Sequence, residues 1–220
     1  MKKHLIIIIL LVLVCGCSNT KYTKDELKFK KEYEKVNNQK QEEKTALELN
    51  ISKDNNIVYK NAKEIIAILK NKTGIIYLGF PECPWCRNAV PVLIKTTKEM
   101  NYNKIYYFNA LSIRDTKELD KDGNIKTTKE GTEEYYEMVD LLKDKLDTYQ
   151  GLGDDSLKRI YFPTVIFVKN GKIMSLHSAT VSSQKDPFKK LSTKQEKELS
   201  NIYKKGIKQI MEDTCGADKC

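Results

Sequence analysis

Arginine is nearly absent from this chain. Arg87, Arg114 and Arg159 are the only three in 220 residues, so lysines carry the formal charge of +9. Those lysines alternate with acids along the whole length, and no stripe of arginines and aromatics is present to read bases. The charge therefore describes a solvated surface, with some affinity for anionic lipid or wall polymer, and not a nucleic-acid partner. Internal repeats are also absent, which excludes a stacked-repeat architecture. Long hydrophobic runs are missing too, apart from the ten residues Leu5 to Val14, and ten are too few to span a bilayer as a helix. What remains is a mean hydropathy of −0.54, with 31% charged, 40% hydrophobic and 9% aromatic residues, enough apolar material for one folded core.

The one apolar run follows Met1-Lys2-Lys3-His4, and a basic start before a short hydrophobic stretch is the pattern of a secretory signal. The segment after it, Val14-Cys15-Gly16-Cys17-Ser18, resembles a bacterial lipobox, with small Gly16 before the cysteine to be acylated. Cys17 is thus the expected lipidation site, and residues 1–16 the signal peptide. Cys15 fits less well, because bulky Val14 precedes it. An ordinary cleaved signal or a short uncleaved anchor are the alternatives. Acyl chains stabilise a bilayer-bound state by about 0.8 kcal/mol per buried CH₂, so the expected location is the extracytoplasmic face of the cell membrane. Residues 17–50 then read as lipidated Cys17 and a charged tether, rich in Lys, Glu, Asn and Gln and without a wide apolar face. A coiled partner-binding arm is the weaker reading of that segment.

Folded structure is expected over 51–214. Ile57-Val58-Tyr59 reads as a strand, and Asn61 caps a helix with Ile65, Ile66, Ile68 and Leu69 on one stripe. The run Ile75 to Phe80 fits a strand buried on both faces. Pro84 suits the first turn of a helix reaching about Met100, with Pro91 expected to kink it. Ile105 to Phe108 is a further strand. Residues 111–160 read as an insertion containing a turn at Asp120-Lys121-Asp122-Gly123-Asn124 and a helix over Thr132 to Leu146. Thr164 to Val168 and Lys172 to Ser178 form a hairpin about Asn170-Gly171, and a long helix covers Thr193 to Met211. The order β-α-β-α-β-(α)-β-β-α describes an α/β fold, a mixed central sheet flanked by helices, with a helical insertion.

Glu82-Cys83-Pro84-Trp85-Cys86 lies where a buried strand gives way to a helix. Unpaired N–H groups and the dipole at a helix start stabilise a thiolate there. The two-residue spacing lets Cys86 fold back on Cys83. Cys83 is the expected attacking thiol, exposed and acidic, and Cys86 the buried resolving one.

The stretch Ile75 to Pro91 resembles the active site of the thioredoxin superfamily, including Pro91 five residues after Cys86. Tyr161-Phe162-Pro163-Thr164-Val165-Ile166-Phe167 resembles that superfamily's cis-proline strand. The resemblance covers about residues 57–212. It is nearest to bacterial thioredoxin-like lipoproteins and bacteriocin-transport-accessory-type proteins. It implies a thioredoxin fold, catalytic Cys83 and Cys86, and an active-site surround of Pro84, Trp85, Phe162 and Pro163. The redox disulfide would be Cys83–Cys86, with no cofactor and no metal. The expected activity is thiol-disulfide oxidoreduction, in either direction, on disulfides of exported proteins or peptides, with a membrane redox partner. One departure is Tyr77, which stands where thioredoxin has a buried acid six residues before the first cysteine. Glu82 is a possible substitute, but a solvated acid is the plainer reading, and it would raise the Cys83 pKa somewhat.

Other readings of the cysteines remain open at this point. Cys83–Cys86 could be an inert disulfide, or Cys83, Cys86, Cys215 and Cys220 a zinc site. The tail 215–220 favours a local Cys215–Cys220 disulfide, with a second redox pair as the sharper alternative. His177 reads as packing and Trp85 as substrate-facing. The fold could also serve a non-catalytic binding or chaperone lipoprotein.

Overall fold

The computed structural model describes residues 21–212, so Cys17 and the pair Cys215 and Cys220 lie outside the described residues. Helix α1 (Lys24–Lys35) opens with a capping box in which Thr23 and Glu26 satisfy each other's backbone N–H groups. A two-residue-per-strand hairpin, β1 (Lys40–Gln41) and β2 (Lys44–Thr45), follows it. Strand β3 (Ile57–Tyr59) leads to α2 (Ala62–Asn71), whose Asn61 cap is also reciprocal with Glu64. Strand β4 (Gly74–Leu78) is buried at every position and stops two residues short of Phe80. Helix α3 (Pro84–Glu99) runs unbroken through Pro91. Then come β5 (Ile105–Phe108), a hairpin of β6 (Thr116–Leu119) and β7 (Ile125–Lys129), and α4 (Glu133–Leu142) with a 3₁₀ turn at Lys143–Lys145. Strands β8 (Thr164–Lys169) and β9 (Lys172–Ser178) precede the last helix, α5 (Thr193–Met211).

The result is an α/β architecture around a mixed five-stranded sheet in the order β3-β5-β4-β8-β9. β5 pairs in parallel with β3 and β4, whereas β4–β8 and β8–β9 are antiparallel. The tight β8–β9 connection works because Asn170 and Gly171 both take positive φ, 48° and 75°. Alternation along β4 divides the core. Ile75 and Tyr77 face a layer of α1, α3 and α5, while Ile76 and Leu78 face α2 and α4. Among the described residues no helix is long and apolar enough to cross a membrane.

Two expectations are corrected. The segment read as a tether is part of the domain: Phe29 and Tyr33 of α1 are fully buried, and Val36, Ala46, Leu49 and Ile51 follow them inward. Its apolar face is only two aromatics wide, and that suffices because both insert over β5. Phe29 meets the Tyr107 ring edge-on at 5.0 Å. Asp25 fixes the helix to the sheet edge by accepting the Tyr59 N–H at 2.9 Å. The insertion, in turn, is not purely helical. Its β6–β7 hairpin turns about Asp120, whose carboxylate accepts the N–H groups of Asp122 and Asn124 at 2.9 and 2.8 Å. Both strands of that hairpin are mostly solvent-exposed and so lack the apolar alternation that marks a strand.

Candidate active site

The end of β4 and the start of α3 place the two cysteines. Cys83 is the N-cap of α3, in extended conformation at φ −68° and ψ 116°, and its Sγ accepts the Cys86 N–H at 3.2 Å. Pro84 occupies the first turn, where a missing donor costs nothing. Both cysteines are free thiols.

Their environments drive them apart. The hydrogen bond with the Cys86 side chain, then backbone N–H groups of Cys86 and Trp85 and the charge of Arg114, hold the Cys83 thiol below its ordinary value of 9.0 against the opposing effect of burial. Cys86 is pushed well above the ordinary value, first by burial and then by the hydrogen bond and charge of Cys83. One thiol is thus poised to ionise while the other holds its proton.

Cys83 is less open than its expected role required. It is 5% exposed, against 0% for Cys86. Phe162 is part of the cover. Its carbonyl lies 3.6 Å from the Cys83 Sγ, and its ring meets Phe80 edge-on at 5.5 Å. The Phe162–Pro163 peptide bond is cis, and the Pro163 carbonyl accepts the Ala179 N–H at 2.8 Å. Pro84 and Trp85 are both half-buried, and Trp85 packs on the apolar cluster that contains the cysteines.

Below the dithiol, the place of a buried acid belongs to Tyr77. Its hydroxyl is fully buried, lies 2.7 Å from that of Tyr33 on α1, and stacks its ring on Tyr107 at 5.4 Å. A hydrogen bond from Tyr77 is among the effects that pull the Cys86 pKa back down, and the Cys86 charge helps raise that of Tyr77. Gly79 leaves the room: a Cβ there would fall 2.3 Å from the Tyr77 hydroxyl. Burial pushes both tyrosines well above 10.0, so they are neutral donors and no substitute base.

Sequence reasoning passed over Arg87, the residue after Cys86. It is 1% exposed and, among the described residues, has no carboxylate partner; carbonyls satisfy it. Its Nε donates to Leu47 O at 2.9 Å, Nη1 to Tyr33 O at 2.8 Å and Pro81 O at 3.1 Å, and Nη2 to Leu47 O and to Asn37 Oδ1. Arg87 therefore ties the active-site turn to the N-terminal arm. Gln41, on β1, adds a bond from Nε2 to Glu82 O at 2.8 Å. A charged residue in the first turn of a core helix was the available signal for such a tie. Its acceptors come from a segment whose folding the sequence did not reveal.

Comparison of the chain with protein-family models, with curated proteins and with solved structures finds no match. The geometry above is what bears on function.

The remaining candidates sit apart from the dithiol or in solvent. The Glu82 side chain is exposed. His177 on β9 donates from Nε2 to Thr180 O at 2.6 Å and packs 6.1 Å from the Tyr203 ring, a structural placement. Among the described residues no cluster of His, Cys, Asp or Glu could hold a metal ion. Cys17, Cys215 and Cys220 lie outside the described residues.

Proposed function

We propose that this protein is an extracytoplasmic thiol-disulfide oxidoreductase with a thioredoxin-like fold, held at the membrane through Cys17. The reading is carried by one observation: Cys83 and Cys86 share a helix start, with Sγ of the first accepting the N–H of the second at 3.2 Å and the first alone made acidic. The cis bond at Pro163 and the Phe162 carbonyl beside Cys83 agree with the resemblance to the thioredoxin superfamily.

In the reducing direction, the Cys83 thiolate attacks a substrate disulfide, forming one S–S bond as the other substrate sulfur leaves as a thiolate. Cys86 then loses its proton and attacks the Cys83 sulfur, which releases the second substrate thiolate. Two electrons pass to the substrate, and Cys83–Cys86 becomes the disulfide. Running the steps backwards oxidises a substrate dithiol. Exported proteins or peptides are the substrates, and a membrane redox partner resets the pair.

Mixing the reduced protein with a small neutral disulfide tests the reading. The expected result is release of thiol at a rate governed by Cys83 ionisation, abolished by Cys83→Ala. A protein that releases no thiol is a binder, and the proposal fails.

A further inference from the structure

Arg114 occupies an unusual position in the insertion. Its guanidinium lies over the Phe162 ring, 4.7 Å from the centroid, and the Phe162 carbonyl is itself 3.6 Å from the Cys83 Sγ. The residue is half-buried, yet among the described residues its guanidinium donates to no oxygen and pairs with no acid. A guanidinium held over an aromatic ring by cation–π attraction keeps its N–H donors available to a carboxylate.

Arg159 is near enough for its charge to act on Arg114. It stacks over Tyr149 at 4.2 Å and donates from Nη2 to Asp115 O at 3.3 Å, while its Nε is buried without a partner. Its like charge is among the influences that lower the Arg114 pKa, after burial. The acid nearby, Asp115, is 3% exposed and lies 3.7 Å from the Lys117 ammonium. Glu82, which directly precedes Cys83, is exposed. The positive charge beside Cys83 comes from Arg114, and Arg159, another of the chain's three arginines, acts on Arg114 in turn.

We propose that Arg114, backed by Arg159, binds a substrate carboxylate, so that disulfide exchange is selective for cysteines flanked by acidic residues. This rests on the oxidoreductase reading and names the substrate class of the same site. A carboxylate in the plane of the guanidinium gains a bidentate, charge-assisted pair in a partly desolvated position, and a lysine there meets like charge.

The test uses three disulfide-bridged peptides identical except for Glu, Gln or Lys beside the cysteine, reacted with the purified reduced protein at low salt. The wild-type protein reacts about fivefold faster with the Glu peptide than with the Lys peptide, as one partly exposed ion pair allows. Arg114→Lys keeps part of the preference, Arg114→Gln removes it, and Arg114→Glu reverses it. Loss of Arg114 also alters the Cys83 thiolate, but that change affects the three peptides alike and cancels in their ratio. Equal wild-type rates, or a preference that survives Arg114→Gln, overturn the proposal. Failure to reduce even the Gln peptide overturns the underlying oxidoreductase reading, and this proposal with it.

Discussion

Two sulfurs three residues apart have pKa values shifted in opposite directions here because one accepts hydrogen bonds at a helix start and the other is sealed beneath it. Cys83, held below 9.0, reaches its full thiolate fraction at lower pH than a free cysteine does, whereas Cys86 stays protonated throughout that range. Alkylation of Cys83 by iodoacetamide as a function of pH is therefore expected to show a midpoint below 9.0, in a component lost in Cys83→Ala. Tyr77 and Tyr33 are the second feature at this scale. Because Tyr77 can stabilise Cys86 as it ionises, Tyr77→Phe is expected to slow the resolving step and leave the attack of Cys83 unchanged. One hydrogen bond is worth about 0.5–1.5 kcal/mol, so the slowing is about two- to twelvefold. Stopped-flow measurement of the two phases separates them.

Among the elements, the N-terminal arm decides most about the site. Helix α1 supplies Tyr33, β1 supplies Gln41, and the chain after β2 supplies the Leu47 carbonyl that Arg87 needs. Phe29 is fully buried against the sheet. Phe29→Ala is expected to cost about 3–5 kcal/mol, measured as a fall in the urea midpoint. The sheet and four of the five helices described over it were legible in the sequence because each carried its own local signal. The Asn61–Glu64 cap, the full burial implied by Ile75 to Leu78, and Asn170-Gly171 all depend on near neighbours. Helix α1 was not legible, although Thr23 and Glu26 write a capping box, because two aromatics among lysines and acids do not make an amphipathic face. Its stability comes from tertiary contacts with Tyr107 and Arg87. The β6–β7 hairpin was missed for the opposite reason, since its exposed strands have no buried face to reveal them.

For the whole molecule, the proposed function joins a membrane anchor to a redox dithiol. If Gly16-Cys17 is a lipobox, mass spectrometry of the native protein is expected to find a chain beginning at acylated Cys17, and Cys17→Ala to abolish the modification. An unmodified N-terminus elsewhere on a freely soluble protein removes the membrane anchor from the account. The dithiol was legible because Cys83, Cys86 and Pro163 stand in short motifs. Its surroundings, Arg87, Arg114 and Tyr33, were not, because they converge from segments far apart in the chain.

The central claim is the order of attack, and trapping in the cell's own extracytoplasmic space tests it most directly. Cys86→Ala can still form a mixed disulfide through Cys83 but cannot resolve it, so covalent adducts with exported proteins are expected to accumulate and to disappear on reduction. Cys83→Ala is expected to trap nothing through the dithiol, because Cys86 is wholly buried and held protonated. Equal trapping by both variants, or by neither, contradicts the account.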